Sequence, residues 1–140
     1  MSMTTPNQRK PIEFRLDLHS GVPVYRQIID QVMGRIAAGA LQPGDQLPTV
    51  RQVAVDLAIN PNTVQRAYRE MEIRGVLDTQ QGTGTFISQQ KVKRDDVERR
   101  RQLAQLVSDF VARAGAAGFT VKELLEEIHD FNTEGERKRR

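Results

Sequence analysis

Between Leu57 and Val64 the chain has room for little more than a sharp turn, because apolar residues at helical spacing run up to Leu57 and resume at Val64. On the near side Val50, Val53, Ala54 and Leu57 fall at i, i+3, i+4 and i+7; on the far side Val64, Ala67, Tyr68 and Met71 repeat that spacing. The turn also carries the start signal of the second helix. Asn60 can cap it, Pro61 suits a first position where no N–H is needed, and Ile59 can staple to Val64. Two short helices, each with one apolar side and so close in sequence, must bury those sides against a common third body.

That body is supplied upstream. From Pro23 onward Tyr25, Ile28, Ile29, Val32 and Ile36 define the apolar face of a helix ending near Gly39, with Arg26, Gln27, Asp30, Gln31 and Arg35 expected on its solvent face. Leu41-Gln42-Pro43-Gly44-Asp45 reads as a turn. Before the helix, residues Ile12 to Leu18 alternate apolar and charged side chains, the pattern of a short half-buried strand or extended arm, and residues 1–11 read as a flexible tail. After Gly75, placed to close the last of the three helices, Val76–Thr79 and Thr85–Ser88 flank the turn-forming run Gln80 to Gly84 and predict a β-hairpin. Three helices and a hairpin in this order are the parts of a winged helix-turn-helix over residues 12–88.

Residues Gln89 to Arg101 read as a polar, helical connector. Leu103, Leu106, Val107, Phe110, Val111 and Ala114 then predict a fourth helix, interrupted by Gly115 and Gly118; Thr120 and Glu123 form a capping box for a fifth, striped with Val121, Leu124, Leu125 and Ile128, before a charged tail from Glu134 to Arg140. The predicted fold class is therefore mainly α with a small β-hairpin: a winged domain followed, over residues 89–140, by a connector and two dimerisation helices. Two such helices bury too little surface to stand alone, since units below about 40 residues need help. The expected dimer interface is Leu103, Leu106, Val107, Phe110, Val111, Leu124, Leu125 and Ile128; the alternative is that both helices fold back on their own domain.

Composition narrows the chemistry. The absence of cysteine removes disulfides, thiolate nucleophiles and sulfur-ligated zinc. No apolar run approaches the roughly 20 residues of a membrane span, and no basic-then-apolar leader opens the chain, so the expectation is a cytoplasmic protein with no membrane partner. Neither His19 nor His129 has the company that catalysis or a metal requires; Glu126 and His129 share a helix face but read as a solvated pair. No enzyme, metal or cofactor is expected. The formal net charge of +3 permits a polyanionic partner without demanding one, because basic and acidic residues are mixed along both halves, including Arg99, Arg100, Arg101 and Arg137 to Arg140.

Local placement says more than net charge. Asn62, Gln65, Arg66 and Arg69 fall at i, i+3, i+4 and i+7, opposite the apolar stripe of the third helix. Asn and Gln can bond adenine edges in a major groove, and Arg can take guanine or phosphate. Thr63 and the free N–H groups of the helix start offer donors to phosphate. Arg51 one turn into the second helix, Thr49 just before it, and the small tip Gln81-Gly82-Thr83-Gly84 complete the candidate DNA contacts. Each feature taken alone is also what an ordinary surface helix or turn shows; the order and spacing of all of them favour the DNA reading.

These residues also carry a resemblance. Pro23-Val24-Tyr25-Arg26-Gln27-Ile28, the run Gly39 to Arg51, Asn60-Pro61-Asn62-Thr63-Val64-Gln65-Arg66-Ala67-Tyr68 and Gly82-Thr83-Gly84-Thr85-Phe86 resemble the DNA-binding domain of the GntR family, and the short C-terminal part resembles its YtrA-like subfamily, in which that segment makes the dimer. The resemblance implies a transcriptional regulator, a repressor by expectation, binding palindromic double-stranded operator DNA as a homodimer under an unidentified small-molecule effector. It implies DNA contacts from Arg51, Asn60, Asn62, Thr63, Gln65 and the wing at Gln81 and Gly82. Thr49 stands where the family often has serine, which keeps the hydroxyl, and Pro61 stands where long-tailed relatives can place an arginine, so their base preference does not transfer. The alternative function is a winged-helix module for protein or RNA without sequence-specific DNA binding.

Overall fold

A computed structural model describes residues 12–89 and 95–139, with side chains followed to residue 132. In chain order the elements are α1 (Val24–Ala37), β1 (Gln46–Leu47), α2 (Val50–Leu57), α3 (Pro61–Ile73), β2 (Leu77–Gln80), β3 (Gly84–Ile87), α4 (Asp96–Ala116) and α5 (Val121–Arg139). The tail expected over residues 1–11, connector residues 90–94, and the side chains of Arg137 to Arg140 lie outside the described residues.

The common body that α2 and α3 require is one core. Ile28, Ile29 and Val32 of α1 meet Val53 of α2 and Val64, Ala67, Tyr68 and Met71 of α3, and Leu47, Leu77 and Ile87 close it from the sheet. Each fully buried aliphatic side chain contributes about 1.5–3 kcal/mol, so three helices too short to persist alone hold one another. The turn between α2 and α3 is tightened at Ala58, which caps α2 in the left-handed region at φ +54°. An L-residue pays roughly 1–2 kcal/mol there, and the core must absorb it.

Two glutamines of α1 depart from the solvent-face expectation. Gln27 is buried: its side-chain amide accepts from the Asp17 N–H at 2.8 Å and donates to the carbonyls of Asp17 and Val22, each at 2.9 Å. One turn on, the Gln31 amide accepts from the Arg15 N–H at 2.9 Å and donates to the Arg15 carbonyl at 2.7 Å. Residues 12–18 are thus an extended arm, whose polar backbone is paired to side chains instead of a neighbouring strand. The alternation read in the sequence survives, with Ile12 and Phe14 buried and Glu13 and Arg15 exposed.

The wing is larger than a hairpin. β2 and β3 pair antiparallel from Leu77↔Ile87 to Gln80↔Gly84, one residue later than expected in β2 and one earlier in β3, and β1 adds to the other side of β3 through Gln46↔Phe86 and Leu47↔Thr85. The order is β1-β3-β2.

Downstream, the connector and fourth helix are continuous in α4, capped by the Asp95 carboxylate on the Val97 N–H at 3.0 Å. Gly115 lies inside α4; the break falls at Gly118, with φ +91°. The capping box opens α5 as read, Thr120 Oγ1 accepting from the Glu123 N–H at 3.2 Å and the Glu123 carboxylate accepting from the Thr120 N–H at 3.1 Å. Helix α5 then runs on to Arg139, where a tail from Glu134 was expected.

Among the described side chains of α4, Ala114 alone is buried. Helix α5 does reach α1 where Phe131 lies against Gly34: a Cβ added there would sit 3.4 Å from the Phe131 ring. That is contact, not collision. Since glycine inside a helix costs roughly 0.5–1 kcal/mol relative to alanine, Gly34→Ala is expected to stabilise the chain by about that amount in denaturant unfolding, whereas Gly34→Leu displaces Phe131 and destabilises it. A destabilised alanine variant would show that the notch has no spare room.

Candidate nucleic-acid interface

Helix α3 is anchored on one side and free on the other. Val64, Ala67, Tyr68 and Met71 are at most 1% exposed, while Asn62, Gln65, Arg66 and Arg69 all face solvent. Its register is fixed at three places. At the start, Asn60 Oδ1 accepts from the Asn62 N–H at 2.8 Å. In the middle, the buried Tyr68 hydroxyl donates to the Pro48 carbonyl at 2.6 Å, tying α3 to the entrance of α2. Near the end, the Thr79 hydroxyl of β2 donates to the Glu72 carboxylate at 2.7 Å, tying α3 to the wing. Burial pushes the Tyr68 phenol well above its ordinary value, so it stays protonated and donating.

The side chains of Arg51, Asn62, Gln65 and Arg69 have no hydrogen-bond or ion-pair partner among the described residues, leaving their donors uncommitted. Thr49 and Asn60 are half-committed. The Thr49 hydroxyl accepts from the Gln52 N–H at 3.0 Å as the cap of α2, which leaves its proton to give, and capping by Asn60 uses the oxygen of its amide, leaving the NH₂. Thr63 is half-buried.

Arg66 differs from the others. Its guanidinium lies 3.8 Å from the centroid of the Tyr25 ring on α1 and 4.0 Å from Glu70, which also meets Arg74 at 3.8 Å. Its periodicity gave no sign of this, because Tyr25 is distant in sequence.

At the wing, Gln81, Gly82 and Thr83 are exposed and form the turn between β2 and β3, closed by the Thr83 N–H on the Gln80 carbonyl at 3.0 Å. The Gln46 side-chain amide of β1 braces the tip by donating to the Thr83 carbonyl at 3.2 Å. Gly84 makes that brace fit: with φ +139°, it puts no Cβ where the Gln46 amide stands. Among the described residues no cluster of three or more potential metal ligands occurs, and no helix is long and apolar enough to cross a membrane.

The model of the gntR family of bacterial regulatory proteins matches residues 24–87, from the start of α1 to the end of β3. The HTH-type transcriptional regulator YhcF of Bacillus subtilis (strain 168) is 41% identical over 83% of this chain and 94% of its own length. This chain belongs to the GntR family. Within it the chain is YtrA-like: the HTH-type transcriptional repressor YtrA of Bacillus subtilis (strain 168) is 38% identical over 86% of the chain and 92% of its own length, so the likeness continues past the wing into the C-terminal helices. Among solved structures, one titled a transcriptional antiterminator from Listeria monocytogenes EGD-e superposes with TM-score 0.66 at 25% identity, over 90% of this chain and 94% of that one.

Proposed function

We propose that this GntR-family chain is a DNA-binding transcriptional regulator acting as a repressor, a homodimer that occupies a palindromic operator with α3 in the major groove and the wing on the adjacent backbone or minor groove. The observation that carries this is the two-sidedness of α3: a buried stripe fixed at start, middle and end, and an opposite stripe of amide and guanidinium donors facing solvent. Gln65 and Asn62 would read base edges, Arg66 and Arg69 guanine or phosphate, and Arg51, Thr49, Asn60, Thr63 and the tip Gln81-Gly82-Thr83 would hold the backbone. Residues 12–88 form the reading domain and residues 89–140 the pairing segment. Repression follows from occupancy, and an effector would act by changing the relative placement of two reading helices.

The dimer is supported by what α4 and α5 leave bare. Leu106 is 67% exposed, Phe110 48%, Leu125 62% and Ile128 52%, with Leu103 and Val107 exposed beside them and Val111 and Leu124 half-buried. Soluble monomers seldom leave such contiguous apolar stripes in water. Two copies joined there would present two recognition helices to half-sites about 34–36 Å apart.

The test begins with duplexes selected from a random pool by the wild-type protein. On the selected operator Gln65→Ala is expected to cost about 1–3 kcal/mol while sparing random DNA. Arg51→Ala should weaken both alike and flatten the salt dependence by about one phosphate's share. Equal losses on both DNAs for Gln65→Ala would remove its base-reading role. The antiterminator title of the Listeria structure keeps a second reading, binding of RNA through the same winged fold; RNA competing with operator duplex at equal affinity would select it.

A further inference from the structure

The contact between Arg66 and Tyr25 assigns a function to a residue of α1 that lies outside the recognition helix. Arginine has four side-chain torsions, and on an open helix face it samples many of them at a cost to any later ordered contact. Here the guanidinium rests 3.8 Å from the Tyr25 ring centroid, within the range where the ring's negative face attracts a cation. Tyr25 itself is half-buried and packed against the core, which backs the ring from behind. Glu70, one turn along α3, sits 4.0 Å from Arg66 Nε and draws the same group from a second direction. Despite both contacts the Arg66 side chain keeps 61% of its surface open. A ring face consumes none of the five N–H donors, so a guanidinium stacked in this way can still present its edge to a base or phosphate.

We propose that Tyr25 is a positioning residue for operator binding: its ring holds the Arg66 guanidinium over the recognition face of α3, so that Arg66 meets DNA already oriented. The proposal rests on the DNA-binding reading given above. It is also distinct from parking, in which the ring would store the arginine in the free protein and surrender it on binding.

The experiment uses the full chain and the duplex selected by the wild type. Wild-type binding is measured first; absence of any duplex preference would overturn the functional reading itself, before Tyr25 is tested. With that preference in hand, Tyr25→Leu, which keeps apolar bulk but removes the ring, is expected to weaken operator binding roughly three- to fivefold, the size of an exposed cation–π contact. Tyr25→Phe, which keeps the ring face, should bind within about twofold of wild type by the same reasoning. In an Arg66→Ala background Tyr25→Leu should change nothing further. A loss in that background as large as in the wild type would overturn the proposal, as would full binding by Tyr25→Leu. A second measurement needs no substitution at Tyr25: the ring-current displacement of the Arg66 side-chain proton resonances should persist in the operator complex. Its disappearance on binding would mean parking and would overturn positioning.

Discussion

Phe110→Glu in α4 combined with Leu124→Glu in α5 is expected to give a chain that sediments as a monomer and binds the operator about 10²–10⁴-fold more weakly, because each half-site is then held without the effective concentration supplied by a linked partner. Phe110 is already 48% exposed in the single chain, so a carboxylate there stays hydrated and leaves the winged core untouched. In a dry interface between copies the same carboxylate would lose its water with no cation opposite, which costs several kcal/mol. The asymmetry makes the substitution diagnostic: association falls while the unfolding of residues 12–88 does not. Binding to random DNA should fall less than binding to the palindrome, since non-specific contact rests on phosphate charge that each subunit carries alone. A dimer that survives both substitutions would reject this interface, and a monomer with full operator affinity would reject the tie between pairing and recognition.

The legible parts of this molecule were those with local causes. Asn60, Pro61 and the stripe Val64, Ala67, Tyr68 and Met71 define α3 in sequence because cap, first-turn proline and periodicity act within four residues of one another. The structure places that stripe in the core and Gly75 at φ +78°. What sequence could not show depends on partners far away along the chain. Strand β1, two residues long, has no period to read and exists only because β3 returns beside it. Gln27 and Gln31 occupy helix positions that ordinarily face water, and only the returning arm shows that they are there to bond its backbone. Ala58 takes a left-handed conformation that composition assigns to glycine. At the candidate interface the residue types of the exposed stripe and the cap at Asn60 were legible, whereas the commitments of two members were not: Thr49 also caps α2, and Arg66 lies over Tyr25.

Tyr68→Phe is expected to destabilise the chain by about 1–3 kcal/mol even though it removes a single oxygen. That hydroxyl is buried and donates to the Pro48 carbonyl at 2.6 Å; without it the carbonyl stays buried with no replacement donor from this side chain. Tyr68→Ala adds a cavity between α1, α2 and α3, and its cost should rise to about 3–5 kcal/mol, enough to threaten folding of a domain this small. The pH dependence follows from the same burial. The folded-state phenol titrates above its unfolded value of about 10, so its contribution is complete below that pH and is lost as pH rises from there toward the folded-state value. Wild type should therefore lose stability in alkali more steeply than Tyr68→Phe, and the gap between their urea midpoints should narrow as pH rises above about 10. Equal midpoints at neutral pH would mean that the Pro48 carbonyl finds another donor. The consequence reaches the interface, because this bond is where α3 is tied to the entrance of α2. Loosening it lets Gln65 and Arg51 shift relative to each other, and Tyr68→Phe should weaken operator binding more than random binding under conditions where the chain is still fully folded.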